Sequence, residues 1–163
     1  MRTVVQRVLE ARVDVLGAGD RRTGGSIGPG LVALVGVAAG DTEADSDWTA
    51  AKIAGLRVFE DEAGKMNRGL AEVETHLGPA GVLVVPNFTV AGSAQKGRRP
   101  DFTTAMKPPE AERLFDRVVA GLRDQFGPGI AVETGVFGGD MRVGLINDGP
   151  VTLVIESPRG PAA

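Results

Sequence analysis

The chain is expected to fold as a single α+β domain with a largely antiparallel, barrel-like sheet and two main helices. Three observations predict this. Segments with strand character outnumber those with helical spacing, and they do not alternate as regular βαβ units. The length of 163 residues suits one hydrophobic core. A composition of 42% hydrophobic and 24% charged residues is that of an ordinary globular chain, not a disordered one. The domain is assigned to residues 1–156, and 157–163 read as a disordered tail.

The elements follow in order. From Thr3 to Val15 the set Thr3, Val5, Arg7, Leu9, Ala11, Val13 and Val15 is mostly apolar at every second position, the mark of one buried strand face. Arg7 falls on that face. Either its guanidinium is buried and hydrogen-bonded, because an unpaired buried charge is very costly, or a bulge turns it to solvent. Gly24 to Gly30 reads as a hairpin turn before the apolar run Leu31 to Ala38; the lysine and hydroxyl of a phosphate-binding loop are missing. Asp41-Thr42-Glu43 opens a helix with the stripe Ala44, Trp48, Ala51 and Gly55, which makes Trp48 a core residue. Glu60-Asp61-Glu62 with Gly64 reads as an acidic, solvated hairpin. Gly81 to Val85 is a short buried strand. Pro109 opens a second helix whose apolar face is Ala111, Leu114, Phe115, Val118, Leu122 and Phe126. Ile130 to Phe137, Met141 to Ile146 and Val151 to Ile155 read as three closing strands.

The chemistry available is narrow. There is no cysteine, which excludes thiol nucleophiles, redox pairs and thiolate metal sites. The one histidine, His76, sits in a polar loop and reads as a surface residue, not the base of a triad. Neither a metal nor a cofactor is expected, so an enzyme built on this chain works by positioning and backbone hydrogen bonds. No apolar run is long enough to cross a membrane and no signal-peptide core forms, which predicts a cytoplasmic protein. The net charge of −3 is unlike that of a general nucleic-acid binder, but Lys96-Gly97-Arg98-Arg99-Pro100 is a local basic stretch.

Two segments break their local pattern. Pro86-Asn87-Phe88-Thr89-Val90 ends a core strand with a proline followed by polar groups. Asn147-Asp148-Gly149-Pro150-Val151-Thr152 joins two strands, with a proline after the Asp-Gly that a two-residue hairpin would use. Its Gly-Pro bond is either an ordinary trans turn or a cis peptide.

Motifs spread over nearly the whole chain resemble the D-aminoacyl-tRNA deacylases. They include Val5-Gln6-Arg7-Val8, Gly28-Pro29-Gly30-Leu31, Phe59-Glu60-Asp61-Glu62, Gly64-Lys65-Met66-Asn67, Glu133-Thr134-Gly135-Val136-Phe137-Gly138 and Asn147-Asp148-Gly149-Pro150-Val151-Thr152. The resemblance implies the deacylase-family fold and a homodimer in which Gly149 and Pro150 enter the partner's pocket and reject L side chains, with Arg7 bracing that loop. It places Thr89, Phe88 and Asn87 at the reacting ester. It gives Phe137 and Met141 to the terminal adenosine, where stacking is physically reasonable, and Lys96, Arg98 and Arg99 to the tRNA. The implied partner is the aminoacylated 3′ end of tRNA. The implied reaction is hydrolysis of the D-aminoacyl ester as chiral proofreading in translation, with glycyl-tRNA admitted because it has no side chain to reject.

One departure stands out. Pro86-Asn87 occupies the place of the family's Ser-Gln, and Pro86 can donate no hydrogen bond. This leaves two alternatives: a deacylase acting on a small L-aminoacyl-tRNA such as L-alanyl-tRNA, or a module that binds the aminoacyl end without hydrolysis.

Overall fold

A computed structural model describes residues 1–17, 21–73, 80–95 and 97–158. The sheet is organised by β1 (Arg2–Leu16), a strand long enough to pair with three others. Along one edge its first half runs antiparallel to β3 (Gly30–Gly36), and its second half to β2 (Arg21–Ile27). Its other edge is paired over both halves with β8 (Asp140–Glu156). Beyond β3 lie β6 (Gly81–Pro86) and β7 (Ala131–Thr134), and these two junctions are parallel. The sheet is therefore mixed, antiparallel around β1 and parallel at the β3–β6–β7 end. It curls until β2 meets β7: a Cβ on Gly25 would lie 3.0 Å from the Glu133 Cβ. The barrel-like, α+β expectation holds.

The apolar positions sort onto the two faces of this sheet. Leu31, Ala33, Val35, Val82 and Val84 face the helices, while Val32, Leu83 and Val85 join Val8, Ala11 and Val13 inside the curl. Strands covered on both sides have to be apolar at nearly every position, which is why β3 and β6 read as continuous runs. In β1 the odd-numbered face is buried as expected, except that Leu9 is exposed and Val8 takes its place. The cause is a register shift between Val8 and Glu10, where β1 bulges against β8.

Helix α2 (Glu110–Phe126) buries Ala111, Leu114, Phe115, Val118 and Leu122, as its periodicity predicts, and Phe126 packs at the edge. Each large side chain on that stripe contributes about 2 kcal/mol. Helix α1 (Glu43–Ala54) departs from the expected stripe: Ser46, Thr49, Ala50 and Ile53 face inward, while Trp48 is only half-buried and carries Lys52 over its ring. Small hydroxyl residues can face the core because they are satisfied there, Ser46 donating to the Leu114 carbonyl at 3.0 Å and Thr49 to the Asp45 carbonyl at 2.7 Å. The helices then approach closely at Ala50 and Gly121. On their outer side Arg117 makes a two-bond pair with Asp47, and Arg113 bridges Glu43 and Glu110; these arginines hold the three carboxyls below the usual range.

Three further expectations are corrected. Gly24 to Ile27 is not a turn but part of β2, and only Gly28-Pro29 reverses the chain; Gly25 lets the strand lie against β7. The last two predicted strands are one, because both halves of β8 pair with the same strand, β1, and the chain never reverses between them. Ser157 belongs to the fold, buried and accepting a 2.6 Å hydrogen bond from the Met1 ammonium, while 159–163 lie outside the described residues. The acidic segment is a hairpin of β4 (Arg57–Glu60) and β5 (Met66–Gly69), with Gly64 at φ +72°. No described helix is long and apolar enough to cross a membrane.

Close approach of β3 to β6 depends on Gly30, where an added Cβ would lie 1.9 Å from the Gly81 carbonyl oxygen. Gly30→Ala is expected to cost about 3 kcal/mol, read as a fall in the urea midpoint at unchanged slope.

Candidate functional site

The turn after β6 is shaped by two residues. The Asn87 N–H donates to the Val35 carbonyl at 2.8 Å, which ties the chain to β3 as it leaves the sheet. Its side chain then caps the 3-10 turn Phe88–Ala91, with Oδ1 accepting from the Thr89 N–H at 3.2 Å and from the Thr89 hydroxyl at 2.6 Å. A backbone N–H can only donate, so the atom it meets is the amide oxygen and the Thr89 hydroxyl must donate to it as well. Thr89 keeps its oxygen lone pairs, exposed to solvent. The Phe88 N–H has no partner among the described residues. The turn can lie against β3 only because residue 36 is glycine: a Cβ there would come within 2.7 Å of the Ala91 nitrogen.

Beside this turn opens a cavity of about 550 Å³, whose walls include Pro86, Asn87, Phe88, Phe102, Phe137 and Met141. Neighbouring parallel strands end on the same side, so the segment after β6 and the segment after β7 both reach it. Phe137 leans on Phe115 of α2, with centroids 6.3 Å apart. Met141 lies over Gly135, where a Cβ would meet its sulfur at 2.7 Å, and the Val136 N–H donates to that sulfur at 3.3 Å. Ring and thioether walls with few polar groups suit a flat aromatic ligand. Phe102 and Met106 also line this space, and neither was singled out as a site residue from sequence; the pairing of Phe102 with the basic stretch was the available signal. A larger polar hollow of about 730 Å³ behind the turn is lined by the Met1 ammonium, Asp41, Asp45 and Glu156, whose charges are largely paired with groups of this chain.

Arg7, Gly149 and Pro150 do not line the cavity. They meet elsewhere, where the β1–β8 ladder is interrupted: Gln6 pairs with Thr152 and Val8 with Asn147, so residues 148–151 loop out opposite Arg7 alone. The Arg7 side chain is 7% exposed and its Nε is 2.8 Å from an Asp148 carboxylate oxygen. The same guanidinium donates to the Asp148 and Val58 carbonyls, and Asn147 Nδ2 bridges the carbonyls of Arg7 and Val151. Of the two readings of Arg7, the structure has the buried one. The Gly149–Pro150 bond is cis, as is Pro108–Pro109, and Gly149 and Pro150 face solvent.

The described part of the basic stretch, Gly97 to Pro100, lies between Ser93 and Asp101, which exchange backbone hydrogen bonds of 2.8 and 2.7 Å. Arg98 and Arg99 are exposed on it and have no acidic partner among the described residues. The Asp101 carboxylate accepts from the Thr103 N–H, which holds its pKa below the usual range. Lys96 and His76 lie outside the described residues.

Asp148→Ala strips the counter-charge from a guanidinium that is almost fully enclosed. It is expected to lower unfolding stability by about 3 kcal/mol in urea titration. Arg7→Lys is expected to be destabilising as well, because an ammonium cannot span the same acceptors.

Residues 4–156 match the D-Tyr-tRNA(Tyr) deacylase family. The chain is 53% identical to a D-aminoacyl-tRNA deacylase of Myxococcus xanthus, over 100% of this chain and 98% of that one. It is 50% identical to one of Geobacter sulfurreducens, over 96% and 95%. Among solved structures, one titled "c-Myc DNA Unwinding Element Binding Protein" superposes with a TM-score of 0.84 at 36% identity, covering 98% of this chain and 100% of that one. Another, titled as a probable eukaryotic D-amino acid tRNA deacylase, shares the fold at a TM-score of 0.71 and 16% identity, covering 95% and 98%. Matched to the family over residues 4–156 and half-identical to its members over nearly the full length, this chain belongs to the D-Tyr-tRNA(Tyr) deacylase family.

Proposed function

We propose that this protein hydrolyses the ester joining a D-amino acid to the terminal adenosine of tRNA, releasing free D-amino acid and tRNA. The observation that carries the reading is the aromatic and thioether cavity opening beside the Asn87–Phe88–Thr89 turn, in a chain without a cysteine and with a single histidine. The adenine rests against Phe137 and Met141, which brings the ester carbonyl to the turn. Water adds to that carbonyl, the Phe88 N–H, without a partner among the described residues, supports the developing oxyanion, and the C–O bond to the ribose breaks as its oxygen takes a proton. The Thr89 N–H is already engaged by Asn87, so Phe88 carries more of this role than Thr89. The vicinal ribose 2′-hydroxyl assists the proton transfers, and no protein side chain has to act as a base.

Selection of the D-enantiomer is assigned to Gly149 and Pro150 of a second copy of the chain. In one copy they stand away from the cavity and face solvent. β8 leaves Ile146, Leu153 and Val154 exposed, apolar positions that a second copy would cover. A wall that works by excluding L side chains admits glycine. Arg98 and Arg99 meet the tRNA backbone, and the reaction is placed in the cytoplasm, where tRNA is charged. Nothing in the cavity favours a small L-amino acid over this reading.

The purified protein is expected to release D-tyrosine from D-tyrosyl-tRNA at least about a hundredfold faster than L-tyrosine from the L-ester. Faster release of L-alanine than of D-tyrosine would overturn the specificity. Asn87→Ala, which frees the Thr89 N–H and hydroxyl and loosens the turn, is expected to lower kcat about tenfold or more in a single-turnover assay. Because the chiral wall comes from a partner, the preference for D- over L-tyrosyl ester should fall on dilution to the monomer, read as faster release of L-tyrosine.

A further inference from the structure

We infer that Phe88 and Phe102 form a second base-binding site at the cavity rim, which takes the unpaired nucleobase preceding the terminal adenosine. This rests on the proposed binding of a tRNA 3′ end, and it extends the contact from one nucleotide to two.

The chain has six phenylalanines. Phe59 and Phe115 are buried, and Phe126 and Phe137 are packed against the core. Phe88 and Phe102 are the ones left open, at 59% and 38% exposure. They stand together, edge to face, with centroids 5.2 Å apart and planes at 71°. Two rings at that angle form a corner with an open aromatic face. Both line the cavity, and because Phe137 is held inward against Phe115, the exposed pair is the outer part of the same wall. A base leaving the cavity along the strand meets them next.

The corner is built into the backbone. A Cβ on Gly92 would lie 2.5 and 2.9 Å from carbons of the Phe102 ring, so glycine is what lets the ring sit there. Thr104 donates to the Ala91 carbonyl at 2.6 Å, fastening the segment after Phe102 to the turn that carries Phe88. Phe102 directly follows Asp101, which closes the base of the loop bearing Arg98 and Arg99. An aromatic face joined to a loop of exposed guanidinium groups has the two features that hold single-stranded nucleic acid: stacking for the base and positive charge for its phosphates.

The test uses a deacylated tRNA acceptor minihelix with 2-aminopurine as the penultimate nucleotide, titrated with the whole protein. Binding to the unmodified protein should quench the fluorophore. Phe102→Leu should abolish most of the quench and weaken binding about tenfold. On a minihelix abasic at that position, the unmodified protein should itself bind about tenfold more weakly, and Phe102→Leu should change affinity less than twofold. Absence of quenching, equal affinity of the unmodified protein for intact and abasic minihelices, or an equal loss from Phe102→Leu on both would overturn the inference. The abasic comparison stands even if the variant folds poorly. A protein that quenches the fluorophore yet releases no D-tyrosine from D-tyrosyl-tRNA would keep the base corner and sink the hydrolytic reading.

Discussion

The buried guanidinium of Arg7 ties together parts of the chain that would otherwise be independent. In the β1–β8 ladder it stands alone opposite residues 148–151, and the extra length has to leave the sheet. A buried arginine is tolerated only when protein acceptors replace its water, and here the Asp148 carboxylate and the carbonyls of Asp148 and Val58 do so. Those contacts join β1, the β8 loop and β4. The projecting Gly149–Pro150 segment is thus held by a charged group that belongs to the middle of the sheet, and a mobile surface turn would give no such fixed projection.

The cavity depends on a different constraint, the close approach of backbones. Gly30 against Gly81 sets the spacing of β3 and β6, and Gly36 against Ala91 lets the turn after β6 fold back on β3. Gly135 and Gly92 then leave room for Met141 and Phe102. At each of these places the missing side chain is replaced by a neighbour, so that site residues lean on the sheet instead of hanging from loops. Such support favours a chemistry of placement, where a fixed N–H is worth more than a reactive side chain. Asn87 is part of the same placement: its short amide caps the turn directly and orders Thr89 through one oxygen.

Much of this was legible in the residues themselves. Period-two alternation gave β1 its buried face, period 3.6 gave α2 its stripe, and the continuous apolar runs of β3 and β6 marked strands covered on both sides. Those signals survive because burial acts on each residue through its own side chain. The motif series that resembled the deacylases likewise marked Asn87, Phe88, Phe137 and Met141, which the fold gathers around one cavity.

What only the tertiary structure decided concerns partners far apart in the chain. Ser46 and Thr49 face the core of α1 because hydroxyls can be satisfied there, an arrangement that a hydrophobic stripe cannot reveal. Residues 140–156 form one strand because both halves meet β1, and Leu9 turns outward because that pairing slips. Phe102 reaches Phe88 because Gly92 and Thr104 bring two loops together. Local sequence carries propensity and period. Register, bulges and the meeting of distant loops come from long-range pairing and packing, where the energy belongs to the pair and to neither residue alone.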